Sequence, residues 1–459
     1  MSRSRLARLV ALLLALTLVA AACSQRDDSD DTSSGDTSGN TGDTSGDGGE
    51  TPSIDTENCA SDPTAEVEGD TIKLVSSYPQ SGLTAAFSQI ANGWKAYFQY
   101  INEEEGGVEI AGKKYKIETE DKNDEYNAQK TSQNIEEMVG TDGEGAFGAF
   151  SVVGTANNIA IRDLLGELCV PNLFVASGSP AWGNPEYPWM IGSTLAPYTL
   201  EGQVFEQHLT EEKPDASVAM LVQDDDFGVA YEEGFTSAIE GSDITVAKVE
   251  KYAPGANEVS SQITSLAASN ADAFFNGGTL LACPDALTKA KAAGWTPITW
   301  ISTTCTSKTL MGIADTAGGN DGVLSMTNLK DPLNPEWADD EAMKLYMEKV
   351  EQYSPDAEVD NAIVAYGWTQ GALLVEAMKT AKTASRLGVM DAVRNMDGLT
   401  GGLLLPDVTV TTGPDDPYMG ETVTLMQYDL AKKYFELVGE PIDFEGKTAE
   451  LTPESLITG

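Results

Sequence analysis

Short β-branched runs alternate with longer stretches of helical period along most of this chain, and the alternation occurs twice. Strand Lys73–Tyr78 precedes a helix marked by Leu83, Phe87, Ile90, Trp94, Phe98 and Ile101 at three- and four-residue steps, which stops at Gly106-Gly107. Strand Tyr115–Glu120, helix Asn127–Val139, strand Gly145–Phe150, helix Ala156–Leu168 and strand Asn172–Val175 complete that series. A second series runs through helix Thr199–Leu209, strand Ser217–Val222, helix Ala230–Ile239, strand Ile244–Tyr252, helix Glu258–Ala268, strand Ala273–Asn276, helix Asp285–Ala293 and strand Thr299–Ile301. Parallel neighbours need a crossover, and a helix between successive strands supplies one. Each series thus predicts a doubly wound parallel sheet, and the tandem pair predicts an α/β protein of two lobes. Three helical stretches between Glu336 and Met396 then need a sheet to cover, and the tail from Leu403 to Leu437 reverts to strands such as Val408–Val410 and Thr422–Gln427. The chain therefore leaves and re-enters each lobe.

Composition and motifs exclude several function classes. A formal net charge of -44 repels phosphate backbones, so nucleic acid is not a partner. His208 is the only histidine, set in Glu206-Gln207-His208 near the end of a predicted helix, where it caps a terminus more readily than it serves a nucleophile. No phosphate-loop, dinucleotide-binding or H-E-x-x-H motif occurs, and carboxylate runs such as Asp224-Asp225-Asp226 are expected by chance in so acidic a chain. No cofactor, no metal and no enzymatic activity are expected.

The amino terminus reads as an address. Arg3, Arg5 and Arg8 precede an apolar run from Leu9 to Val19, too short for a mature spanning helix and suited to a secretory signal. It ends in Ala20-Ala21-Ala22-Cys23, which resembles the lipobox of bacterial lipoproteins; the resemblance implies acylation of Cys23, removal of residues 1–23 and a lipid anchor on the outer side of the bacterial cell membrane. Residues 24–57 are dominated by Ser, Asp, Thr and Gly and bury too little apolar surface to fold, so they read as a tether. Four further cysteines, Cys59, Cys169, Cys283 and Cys305, are an even number in a compartment that permits disulfides. Three pairings exist; Cys283 and Cys305 follow successive strands and should lie side by side, which leaves Cys59 with Cys169.

From Ile72 to about Glu440 the chain resembles the type I periplasmic binding proteins of the branched-chain amino-acid (Leu/Ile/Val-binding) class, the solute receptors of ABC importers. Pro79-Gln80-Ser81-Gly82 follows the first strand, then come Ile101-Asn102-Glu103, Gly106-Gly107-Val108, Gly112-Lys113-Lys114, Glu120-Asp121-Lys122-Asn123-Asp124, Val170-Pro171-Asn172 and Asp226-Phe227-Gly228. Their order and spacing carry the likeness. It implies two lobes joined by three crossings near Gly192–Ala196, Val323–Leu329 and Gly401–Val408, with lobe 1 formed by 58–195 plus 328–400 and lobe 2 by 196–327 plus 401–459. It also implies a monomer that closes on a small polar or carboxylated solute (an amino-acid-like molecule, amide, urea or organic acid) and passes it to membrane permease subunits; the alternatives are an exported sensor that signals to a partner protein and, behind it, an extracellular hydrolase. The ligand residues implied are Ser151, Thr155, Ser177 and Ser179 for a carboxylate, and Phe87 and Phe227 as aromatic walls. Thr279 stands where members carry an aromatic residue, and Thr304 and Cys305 where they carry an acid for the ligand's ammonium; both departures point away from an ordinary branched-chain amino acid.

Overall fold

A computed structural model describes residues 54–82 and 84–459. The expected signal, the expected acylation site Cys23, nearly all of the expected tether and Leu83 lie outside the described residues. Among the described residues no helix is long and apolar enough to cross a membrane.

The first sheet is built from β1 (Thr71–Tyr78), β2 (Val108–Ile110), β3 (Lys113–Asn123), β4 (Gly148–Phe150) and β5 (Asn172–Leu173), with α1 (Ser88–Glu104), α2 (Ala128–Val139) and α3 (Thr155–Leu168) between them. Its order is β2-β3-β1-β4-β5. The second follows α4 (Tyr198–Glu212) and contains β6 (Ser217–Gln223), β7 (Thr245–Tyr252), β8 (Ala273–Gly277), β9 (Ile298–Ile301) and β10 (Leu324–Thr327), with α5 (Asp226–Ala238), α6 (Ser260–Ala267), α7 (Ala282–Ala292) and α8 (Lys308–Asp315) as crossovers. After α9 (Glu341–Tyr353), α10 (Ala362–Thr380) and α11 (Arg386–Val393) have packed on the first sheet's core, β11 (Thr422–Asp429) and β12 (Tyr434–Asp443) complete the second, and α12 (Glu454–Thr458) ends the chain. That order is β12-β11-β10-β9-β8-β6-β7.

The architecture is the α/β fold expected, but both sheets are mixed. β2 pairs antiparallel with β3 through the two-residue turn Ala111-Gly112, both at positive φ (49° and 81°), the signature of a tight hairpin. Antiparallel β11 and β12 extend β10. Val408–Val410 is not a strand; Val410 makes one bridge, to Leu399. Helix starts follow their side chains: Asn127, Asp225, Ser307, Asp340, Asn361 and Ser385 each accept a backbone N–H from the first turn of α2, α5, α8, α9, α10 and α11. Two disulfides form, Cys59–Cys169 and Cys283–Cys305.

Three segments pass between the cores, and hydrogen bonds tie the first two to each other and to lobe 1. Asn328 Nδ2 donates to the Thr194 carbonyl (2.7 Å), Gln370 Nε2 to Thr194 Oγ1 (2.6 Å), and the Leu405 N–H to the Asn328 carbonyl (2.9 Å). The third passage corrects the expected one at Gly401–Val408. Leu403, Leu404, Leu405, Val408, Val410 and Met419 all belong to the first core, and the chain reaches the second sheet only through Gly420, where a Cβ would lie 2.7 Å from the Thr194 carbonyl oxygen. Apolar burial keeps residues 401–419 in lobe 1, a constraint that strand-like composition does not reveal.

Candidate solute-binding cleft

The carboxyl ends of β1, β4, β6 and β8 face the space between the lobes, the place where parallel sheets leave backbone and side-chain groups free for a ligand. A cavity of about 140 Å³ lies there. Phe87, Tyr126 and Val153 wall it from the first lobe and Tyr198, Phe227, Thr279, Thr303 and Thr304 from the second, with Met326–Asp331, Trp337 and Tyr366 along the crossings. Most of this surface is aromatic or aliphatic. The polar groups cluster on the second-lobe wall and beside the hinge.

Tyr126 is held by a buried carboxylate. Asp124, fully buried, accepts from Ser77 Oγ (2.9 Å), Thr131 Oγ1 (2.9 Å) and the Tyr126 N–H (2.8 Å), while burial raises its pKa. These bonds fold Glu125 and Tyr126 into the left-handed region, at φ 52° and 61°. The Tyr126 ring then meets Phe87 at 6.2 Å, and it passes so near Gly154 that a Cβ there would lie 2.8 Å from the ring. Across the cleft, Tyr198 stacks on Tyr231 (4.6 Å) and meets Phe227 edge-on (5.0 Å).

Of the residues inferred from sequence, Phe87, Phe227, Thr279 and Thr304 line the cavity. Ser151, Thr155, Ser177 and Ser179 do not, and their bonding explains why. Thr155 Oγ1 and Ser177 Oγ bond each other at 2.7 Å, Ser177 Oγ also accepts the Ser179 N–H (3.2 Å), and Ser179 caps the short 180–183 turn by accepting the Ala181 N–H (3.3 Å). Gly178 lies under the Tyr198 ring, 2.7 Å from where its Cβ would stand, so an aromatic ring occupies the approach to this loop. Ser151 sits at φ 52° with a buried hydroxyl that has no partner. His208 lies on α4 in a groove with Trp295 and Lys291, away from the cavity lining.

Two charged side chains reach the cavity. Lys330 is spent on Asp340, 2.7 Å away. Asp331 accepts only the Leu333 N–H among the bonds in the structure, and burial pushes its pKa up to about 6. Asp225 caps α5 and Asp285 accepts the Val259 N–H, and neither lines the cavity. Sequence reasoning missed Tyr126, Tyr198 and Glu201. The Asp124-Glu125-Tyr126-Asn127 turn after β3 could have signalled the first; nothing in the sequence marks the other two. Glu201 is wholly buried beside Thr303, takes bonds from Tyr231, Trp300 and Thr303, and has its pKa pushed up to about 7 by desolvation.

A family model described as periplasmic binding protein matches residues 71–433. The chain belongs to the periplasmic binding protein family. No protein of curated function matches it by sequence. This periplasmic binding protein is similar in structure to a valine-bound branched-chain amino acid ABC transporter protein from Thermus thermophilus (18% identity, TM-score 0.71, covering 82% of this chain and 97% of that one). It is similar also to an ABC transporter substrate-binding protein from Aeropyrum pernix (14%, 0.72, 85% and 100%) and to a fatty acid ABC transporter substrate-binding protein from Thermomonospora curvata (17%, 0.70, 82% and 94%). At these identities the likeness shows the fold, and the family is one of binding proteins.

Proposed function

We propose that this protein is a lipid-anchored solute receptor of an ABC importer, held by Cys23, whose solute has an apolar body and one polar head. The observation that carries the reading is the cavity wall, aromatic and aliphatic from both lobes, with Thr279, Thr303, Thr304, Thr306 and Ser307 supplying hydroxyl residues on the second-lobe side. Burying an apolar chain there is favoured by about 25 cal/mol per Å² removed from water. A urea-sized polar solute gains little from such a wall. The departures at Thr279 and Thr304 fit this reading, as does the absence from the cavity lining of any free carboxylate on the second lobe. Closure does the work, because contacts from both lobes stabilise the shut form and only a molecule with higher affinity for it shifts the population. Titration calorimetry against octanoate, 1-octanol, aromatic acids, valine and urea is the test. The expected result is binding of medium-chain or aromatic probes with a negative heat-capacity change; heat from valine or urea alone would overturn the apolar reading.

A further inference from the structure

The second-lobe wall is wired to a buried carboxylate. Tyr231 Oη donates to Glu201 Oε1 at 2.6 Å, Tyr231 Oη and Ser302 Oγ lie 2.7 Å apart, and Ser302 Oγ and Thr304 Oγ1 lie 2.8 Å apart. Thr304 Oγ1 can also donate to Thr279 Oγ1 at 3.3 Å, the longest bond of the series and one it gives up when its single proton goes to Ser302, whose Oγ accepts the Thr304 N–H as well (3.2 Å); both threonines line the cavity. A hydroxyl has one proton, so the direction of each bond fixes the next. With Glu201 ionised, Tyr231 spends its proton on the carboxylate and must accept from Ser302. Ser302 is then spent and must accept from Thr304. The Thr304 oxygen consequently turns lone pairs, not a proton, toward the cavity.

We propose that Glu201 is a positioning residue that sets the polarity of the cleft's hydroxyl wall, so that Thr304 accepts from a hydrogen-bond donor on the solute. The inference rests on the receptor reading above and names the polar head it selects: a hydroxyl or an N–H. It replaces at a distance the acidic side chain for which Thr304 stands.

Glu201 can be reversed in a defined sense. Its Oε2 accepts the Trp300 Nε1–H (2.9 Å), a group that only donates, so a proton or an amide nitrogen belongs at Oε1, facing Tyr231 Oη and Thr303 Oγ1 (2.7 Å). In Glu201→Gln the amide N–H₂ donates to both. Tyr231 then turns its proton to Ser302, Ser302 to Thr304, and the Thr304 proton turns to the cavity side, where Thr279 Oγ1 (3.3 Å) or an acceptor on the solute takes it. Protonating Oε1 in the wild type frees Tyr231 in the same way when it accepts that proton, and the value near 7 places this change near neutral pH. The titratable groups that feel Glu201 are Tyr198 on its own helix and Tyr231 on α5, with Asp225 acting on Tyr198; β9 contributes Trp300 and the following turn Thr303, neither charged.

The test uses two uncharged probes of similar size: 1-octanol, which can donate, and 2-octanone, which only accepts. For the wild type at pH 8 the alcohol should bind more tightly than the ketone by a few-fold to about tenfold, the span of one neutral hydrogen bond. That preference should shrink at pH 5, and in Glu201→Gln it should be lost or inverted at both pH values. Tyr231→Phe cuts the relay without changing charge and should also lose the preference, which separates the relay from a long-range effect of the carboxylate. Equal preference in wild type, Glu201→Gln and Tyr231→Phe overturns the proposal and leaves the receptor reading standing. Failure of both probes to bind the wild type overturns both.

Discussion

Ser177→Ala should cost stability. Its hydroxyl is the partner of the buried Thr155 hydroxyl and an acceptor for the Ser179 N–H, and alanine leaves both groups unsatisfied. The expected loss is about 1–3 kcal/mol, the penalty of a stranded buried polar group, measured as a lower urea midpoint at unchanged m-value. An unchanged midpoint would remove Ser177 from the internal network and return it to the ligand. The same residue shows where a sequence reading stops. Ser, Gly and Ser after a strand are the right chemistry for a carboxylate, and they are equally the right chemistry for satisfying one another; only the position of the Tyr198 ring over Gly178 decides between the two. Phe87 and Phe227 were legible only through the family resemblance, which places aromatic side chains at these positions; both line the cavity.

At the level of elements, α1 and α10 cross in backbone contact. A Cβ at Gly93 would collide with the Val364 carbonyl and the Trp368 N–H, and one at Gly367 with the Ile90 carbonyl. Helices this close tolerate no side chain at the crossing, and the neighbouring Trp94 and Trp368 are both buried in the same core. Gly367→Ala should therefore destabilise the protein by about 1–3 kcal/mol or more, despite the better helix propensity of alanine, and a melting-temperature measurement on the single variant checks it. Stabilisation would mean that the helices can separate freely. The helices themselves were legible from their three- and four-residue periods. The partnership of α1 with α10 was not, because more than 250 residues of sequence, those of the second lobe among them, intervene between the two glycines.

For the whole molecule, several buried or partly buried carboxyls have values above their ordinary range. Glu421, at the third crossing, is pushed up to about 8 by burial and by neighbouring Asp416; Glu201 and Glu445 are pushed up to about 7, and Asp331 to about 6, each chiefly by burial. A raised carboxyl keeps in the folded state a proton that the unfolded chain releases near 4.5. Its contribution is complete below that value and is lost as pH rises through the folded one. The net charge of -44 adds self-repulsion in the same direction. Thermal stability should accordingly fall between pH 5 and pH 8.5, and Glu421→Gln should flatten that fall; a melting temperature that rises over this interval in the wild type would contradict the burial of these groups. Exposed carboxylates held low, such as Asp215 beside Lys213 and Asp429 capping the turn at Lys432, act only in more acidic solution.

The sequence by itself determined the α/β class, the tandem of two sheets and the excess of acidic residues, because hydrophobic period and charge are local properties that survive without coordinates. Tertiary structure alone decided which hydroxyls face the cleft, where the chain makes its third passage between lobes, and that a carboxylate in the first turn of α4 governs the proton of a threonine after β9. Those outcomes depend on the direction of side chains brought together from distant segments, and a hydroxyl looks the same in sequence whether it binds a solute, caps a turn or hands its proton to a neighbour.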